Sequence, residues 1–413
     1  VIISQNKHWE QAYTELYKRD VFDVVVKNLS LKHIQVLQGI RRSGKSTIFK
    51  LLINHLCQTV DPKEVVYLNL DDPFFIKYSD DATSFYGILQ SVKKLTKTNI
   101  KYLFLDEVQA IVGWEKYVKS IYDSGEFIKI FITGSNSSLL SGEFATLLTG
   151  RYVSTKVYPL KFKEILNIKG IDNYIELNKN LPMALNIIDD MMRYGSFVEI
   201  FNVDTSFKRE ILKTYYETIL LKDCVANNSI RDIKSFKELS YYSLTNLTSL
   251  YSYASLAKII KINDKSIKEY LAYLEDCYLF SELKFFSYSL KDQQNNKKKL
   301  YLSDNGFMEL GYNFSLNYGK LLENLVFTEL QKSGYELYFY NKEYECDFIA
   351  IKESKILAIQ VCYELNEQNI KREIRGLEKL SLDVDEKIII TYNQNQSFGD
   401  IIAISFWEYF RDK

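Results

Sequence analysis

The chain is poor in the residues that build metal and disulfide frameworks. Its three histidines, His8, His33 and His55, make no ligand cluster, which argues against a histidine-based zinc site. The five cysteines (Cys57, Cys224, Cys277, Cys346 and Cys362) never come as CxxC, and an odd, dispersed set fits a reduced cytosol. Four prolines and 16 glycines exclude collagen-like and proline-rich linker architectures. Net charge is zero, with 53 basic and 53 acidic residues, which excludes a histone-like binder while leaving room for a local basic patch. No apolar run approaches the ~20 residues of a membrane helix. The first residues, VIISQNKHWE, lack the basic-then-apolar design of a secretory signal, so a cytoplasmic location without membrane attachment is expected. The initiator methionine is expected to have been removed or to lie outside these residues.

What is present is ordinary globular chemistry: 413 residues, 46% hydrophobic and 26% charged, enough for two or three domains at a loose ~150 residues each. The 32 tyrosines and 25 phenylalanines are scattered and read as packing. After N-terminal helices over 8–30, short apolar runs alternate with helical stretches. Strands are expected at 34–39, 65–70, 101–107, 129–134 and 151–160, with helices at 46–57, 83–94, 114–124 and 138–148. Continuous apolar strands alternating with helices mean a parallel sheet covered on both faces. From 161 to 250 the pattern is helical. YASLAKII (253–260) and KSIKEYLAYLEDCYL (265–279) read as helix-turn-helix. Residues 280–289 and 297–304, joined by KDQQNN, read as a hairpin, which together suggest a winged helix. The last hundred residues are α/β again: a helix at 321–332, a strand at 336–340, an antiparallel pair at 346–352 and 355–363, a helix at 369–379, and runs at 386–392 and 400–410. The expected domains are 1–165, 166–305 and 306–413.

The strongest motif is Gly39-Ile40-Arg41-Arg42-Ser43-Gly44-Lys45-Ser46-Thr47, a GxxxxGK[ST] run between a strand and a helix. Glycines let the backbone bend so that its N–H groups point at phosphate, and the helix N-terminus adds its dipole. Lys45 is expected to neutralise the β- and γ-phosphates, the Ser46 hydroxyl to ligate Mg²⁺, and Thr47 to contact the α-phosphate. Arg41 and Arg42 either touch nucleotide or fix Glu107. The partner motif is YLFLDE, which leaves Asp106 and Glu107 at the C-terminal end of a buried strand, where ligands of open α/β sheets bind. Asp106 would hold Mg²⁺ and Glu107 would polarise the attacking water. The next strand ends in TGSN. Ser135 and Asn136 compete to sense the γ-phosphate there, or form a turn and helix cap. Arg151, beside Gly150, is an arginine finger into a neighbouring subunit, a residue of its own site, or a surface ion pair.

GIRRSGKST, YLFLDEVQ, FITGSNSSLL, LLTGRYV and YPLKFKEIL resemble the prokaryotic AAA-type ATPases that carry a C-terminal domain of unknown function. RYGSFVEI, YYETILLKD and GKLLENLVFTELQ…ECDFIAIK…IQVC are also similar to that family. The resemblance implies an AAA-like P-loop core acting on ATP with Mg²⁺, a helical and winged-helix middle, and a degenerate restriction-nuclease-like end of PD-(D/E)XK type. Such nuclease folds place an acid on a helix, an acid on a strand and E/Q-x-K on the next strand. The corresponding residues here are Glu323, Asp347, Gln360 and Cys362. Cysteine at the lysine position cannot donate as a cation, and a thiol is a poor Mg²⁺ partner. The expectation is therefore an inactive module kept for interaction, with Lys342 or Lys355 as substitutes if it cuts. Lys265 and Lys268 on the second helix, and Lys297, Lys298 and Lys299 at the wing, are the candidate DNA contacts, weakened by Glu269, Glu275 and Asp276. The reading is a Mg²⁺-dependent ATPase coupling nucleotide state to the following modules, with DNA and a homo-oligomer as candidate partners. A nucleotide-dependent protein-binding switch and an ATP-driven nuclease are the alternatives.

Overall fold

The structure, a computed structural model, describes residues 1–78, 84–140, 146–311 and 317–413. Part of the helix expected at 138–148 and the start of that at 83–94 lie outside the described residues. Two compact units divide the chain, residues 1–158 and 159–413.

In the first unit, β1 (Ile34–Gln38), β2 (Val65–Asn69), β3 (Tyr102–Asp106), β4 (Lys129–Gly134) and β5 (Tyr152–Lys156) form one parallel sheet in the order β2-β3-β4-β1-β5. The inner strands are mainly apolar because both faces are covered, whereas the edge strand β5, YVSTK, is only half-buried. Leu37, Phe104 and Phe131 point to one face, where α1 (Lys45–Leu56) presents Ile48, Phe49, Leu52 and Ile53. The Phe104 and Phe131 rings stack at 4.2 Å, and Phe49 meets Phe104 edge-on. Burying each such side chain contributes roughly 1.5–3 kcal/mol. The alternate residues Val36, Leu103, Leu105, Ile130 and Ile132 pack on the other face with Trp114, Val118 and Ile121 of α2 (Trp114–Asp123).

The N-terminal stretch differs from expectation. Helical turns form at Ile2–Gln5, Lys7–Trp9, Asp20–Lys27 and Asn28–Ser30, and the first two lie along the outer edge of β2. There side chains substitute for a missing strand. The Asn6 amide accepts from Tyr67 N–H (2.7 Å) and donates to Tyr67 C=O (2.9 Å). Gln5 does the same at Asn69, and the Trp9 indole N–H donates to Val65 C=O.

The second unit begins with helices. Ser252 caps α3 (Tyr253–Ile260), Lys261 turns the chain in a left-handed conformation, and Asn263 caps α4 (Asp264–Asp276). The hairpin that follows is shorter than expected: β6 (Phe280–Leu283) pairs antiparallel with β7 (Lys299–Leu302). The polar run between them contains a helical turn, Leu290–Asn295, capped by Ser289. After α5 (Tyr318–Lys332) comes a mixed sheet in the order β12-β13-β11-β10-β9-β8. Its strands are β8 (Glu336–Asn341), β9 (Glu345–Lys352), β10 (Lys355–Cys362), β11 (Glu386–Thr391), β12 (Gln396–Phe398) and β13 (Ile401–Ser405). The run at 400–410 is a strand only to Ser405; Phe406–Phe410 is helical. Among the described residues, no helix is long and apolar enough to cross a membrane.

Candidate nucleotide site and the carboxylate cluster

The glycine-rich loop leaves the end of β1 and enters α1. Gly39 (φ +149°) and Gly44 (φ +98°) supply the backbone freedom that the bend needs. Gly39 is fixed by space as well, since a Cβ there would lie 2.1 Å from the Val157 carbonyl oxygen. Arg42 also adopts a left-handed conformation and is exposed, whereas Arg41 turns toward Asp71 at 3.8 Å. The Lys45 ammonium is buried and donates to the carbonyls of Gly39 (2.9 Å) and Ile40 (3.1 Å), so it lies over the loop's own backbone. Ser43 is buried, and its hydroxyl has no partner among the described residues.

Register brings the acids to the loop. Asp106 ends β3, and its carboxylate is buried against three hydroxyls. Tyr67 donates at 2.6 Å, Thr133 donates to the other oxygen, and the Ser46 side chain of the loop lies beside it and favours its charged form. Burial pushes the Asp106 carboxyl up, and neighbouring Glu107 adds to that, while the three hydroxyls pull it back. Ser46 hydroxyl and Asp106 carboxylate form a hard-oxygen pair of the kind Mg²⁺ takes, so the residues present fit that ion. Glu107 sits in a left-handed conformation, and its N–H donates to Thr133 Oγ1 at 2.9 Å. Its carboxylate accepts from Gln109, whose amide also donates to Ser135 Oγ at 3.3 Å. Of the two sensor candidates, Ser135 is therefore the one linked to Glu107. Asn136 is buried too, and its carbonyl accepts from Leu139 N–H in the turn Ser137–Leu140.

Arg151 lies elsewhere. It precedes β5, and its carbonyl accepts from Ile34 N–H at the opposite end of β1 from the loop. Four strand steps separate the two levels, about 13 Å. Action in its own site is thereby removed, leaving the trans finger and the ion pair. The guanidinium is 3.5 Å from Asp123, which Lys119 and Arg151 hold below its usual carboxylate range.

Three residues of this site, and one that supports its loop, escaped the sequence reading. Gln109 was legible, since it follows the acids in DEVQ. Tyr67 hides in the apolar run VVYLNL, and Thr133 reads as the end of a strand. Arg19 carries no local signal. Its buried guanidinium donates to the carbonyls of Ser43 (3.2 Å) and Tyr158 (2.9 Å).

In the second unit, Glu323 on α5, Asp347 on β9, and Gln360 and Cys362 on β10 are drawn to one place. The wing expectation is corrected there. Lys299 is buried, and its ammonium lies 3.1 Å from Glu345, 3.4 Å from Asp347 and 3.5 Å from Glu323. Burial alone would lower its pKa, but the three carboxylates outweigh burial and raise it. Lys298 is buried as well, donating to the carbonyls of Gln294 and Asn296. Only Lys297 of the three stays exposed. The substitutes also fail to reach the cluster: Lys355 is exposed and pairs with Glu386, and Lys342 lies over the Tyr340 ring. Gln360 is spent on Asp347 N–H and Glu373. The Cys362 thiol is pushed up to about 11, chiefly by burial, and donates to Glu364 C=O. Among the described residues, no group of three or more His, Cys, Asp or Glu is arranged to hold a metal.

Residues 31–166 match the model of an AAA domain, and residues 186–313 and 318–409 match two domains of unknown function, DUF8612 and DUF4143. The Methanocaldococcus jannaschii protein MJ1544, described as uncharacterized, is 38% identical over 90% of this chain and 84% of its own. An uncharacterized Haemophilus influenzae protein is 32% identical over 91% of this chain and 94% of its own. Among solved structures, the Walker-type ATPase PABY2304 of Pyrococcus abyssi aligns at 13% identity and TM-score 0.43, covering 73% of this chain and 99% of that one. The Aeropyrum pernix ORC1 protein, solved in complex with DNA, aligns at 11% identity and TM-score 0.31 over 74% and 94%. With an AAA domain built on a five-stranded parallel sheet, the chain belongs to the family of the Methanocaldococcus jannaschii and Haemophilus influenzae proteins.

Proposed function

We propose that this protein is a Mg²⁺-dependent ATPase whose nucleotide state is passed to the second unit. The observation that carries the reading is that the Ser46 side chain of the glycine-rich loop lies close enough to Asp106 at the end of β3 to stabilise its charge. Two groups distant in sequence meet where a triphosphate and its cation would lie. Mg²⁺ held there would neutralise charge on the β- and γ-phosphates. The loop amides and Lys45 bind the triphosphate, with Lys45 leaving the Gly39 and Ile40 carbonyls for phosphate oxygens. Glu107 takes a proton from the attacking water, and Gln109 with Ser135 fixes the direction of its carboxylate. Arg151 acts on a neighbouring copy's γ-phosphate, which makes turnover depend on assembly.

For the second unit, the reading is a non-cutting module. Lys299 already supplies the positive charge that the three carboxylates call for. DNA contact rests on the helix pair α3 and α4, with Lys265, Lys268 and Lys297 exposed. The test is ATP binding and turnover by the full chain, alone and with single-stranded, double-stranded and branched DNA. Lys45→Ala and Asp106→Asn should abolish turnover. Binding without turnover favours the protein-binding switch. An absence of adenine-nucleotide affinity rejects the reading altogether.

A further inference from the structure

The exit from the first unit is built into the phosphate loop. After β5, Val157 N–H donates to Gln38 C=O at 2.7 Å, and the Val157 carbonyl fills the space beside Gly39. One residue on, Tyr158 C=O accepts from one arm of the Arg19 guanidinium, whose other arm holds Ser43 C=O of the loop. A guanidinium suits this role because its donors are rigidly coplanar, so displacing one carbonyl tilts the donor held by the other. Pro159 follows, with its φ fixed by the ring. Leu160 is then fastened inside the second unit. Its N–H donates to Ser196 C=O at 2.9 Å, and its carbonyl accepts from the Lys332 ammonium at 2.8 Å. Lys332 is buried and paired with Glu329, whose carboxylate also accepts from Phe162 N–H. Two buried cations thus grip carbonyls two residues apart: Arg19 on the loop side and Lys332, from α5, on the other.

We propose that Arg19 is a positioning residue that couples the phosphate loop to the junction Tyr158–Pro159–Leu160, so that nucleotide binding alters the constraint on that junction. To reach phosphate, Lys45 leaves the Gly39 and Ile40 carbonyls, which releases the loop backbone it now holds. Arg19 carries the movement of Ser43 to Tyr158, and the short, clamped junction passes it to Leu160. The proposal rests on the ATP reading, and the two are separable by experiment.

The test is hydrogen exchange of the full-length protein over residues 155–162, with and without Mg²⁺ and a non-hydrolysable ATP analogue, alongside nucleotide titration. Wild type should bind the analogue and change its exchange at the Val157 and Leu160 amides. Arg19→Ala should still bind the analogue but lose that response, and Arg19→Lys should recover part of it. If Arg19→Ala does not fold, Arg19→Lys and Arg19→Gln are compared, with a weaker response expected for glutamine. An undiminished response in the folded variants overturns the coupling alone. A wild type that fails to bind the analogue overturns the coupling and the ATP reading together. Binding with no wild-type response overturns the coupling while leaving the ATP reading intact.

Discussion

Replacing Lys299 by methionine keeps the aliphatic stem and removes the charge that three carboxylates share. Each contact at ~3.3 Å has a gross Coulomb energy of about 5 kcal/mol at an effective dielectric of ~20. Glu345 is half-exposed and solvent screens it, so Glu323 and Asp347 dominate. Desolvation of the ammonium cancels much of this gain. What Lys299→Met leaves is a buried, uncompensated acid pair, which costs about 3–5 kcal/mol. For a unit of this size, that lowers the midpoint of its thermal unfolding by about 6–20 °C. The loss should depend on pH. Burial first, and then Glu323, push the Asp347 carboxyl up to about 7, with Lys299 pulling it down. Without Lys299 the group rises further. A raised folded value means that the native state binds more protons than the unfolded chain, so stability rises on acidification. The gap between variant and wild type should be widest near about pH 8 and narrow toward about pH 5. Adding Glu323→Gln and Asp347→Asn to Lys299→Met should restore most of the lost stability. Thermal melts over that pH range measure all of this. A deficit under about 1 kcal/mol at the alkaline end would refute the reasoning, because a paired buried lysine cannot be so cheap to remove.

Three further outcomes are expected. Glu107→Gln should retain ATP affinity and lose turnover by roughly 10²–10⁴-fold, the usual worth of a positioned base; comparable losses in affinity would mean that it holds structure instead. Arg151→Ala should bind ATP normally and lose the dependence of turnover on protein concentration, whereas unchanged turnover would make its contact with Asp123 a mere surface pair. Gly39→Ala drives a Cβ to within 2.1 Å of the Val157 carbonyl at a positive φ, so nucleotide titration should show binding lost and melting should show the first unit destabilised.

The inner strands of the first sheet were legible because a strand buried on both faces is mainly apolar, and the loop and acid pair stand at strand ends where such sheets bind ligands. Their meeting follows from register, which the motif spacing implied. The partners of Asp106 were not legible: Tyr67 and Thr133 are unremarkable strand residues until neighbouring strands align them. Lys299 misled for a related reason. Three consecutive lysines read as a solvated run, but a strand alternates its faces, and one lysine of the hairpin found carboxylates supplied by α5 and β9, far along the chain. Arg19 has no motif around it because its partners are backbone carbonyls, which leave no trace in sequence. The run at 400–410 read as one piece because apolar residues continue through the change from strand to helix at Phe406.

The amide side chains of Gln5 and Asn6 have a consequence beyond the first unit's own stability. A bare outermost strand is a template on which another chain can lay a strand of its own. Here those backbone groups at Tyr67 and Asn69 are already consumed by side chains mimicking a sixth strand that stops there. Copies of this protein therefore cannot zip together along β2, which leaves β5 as the first sheet's other outer strand.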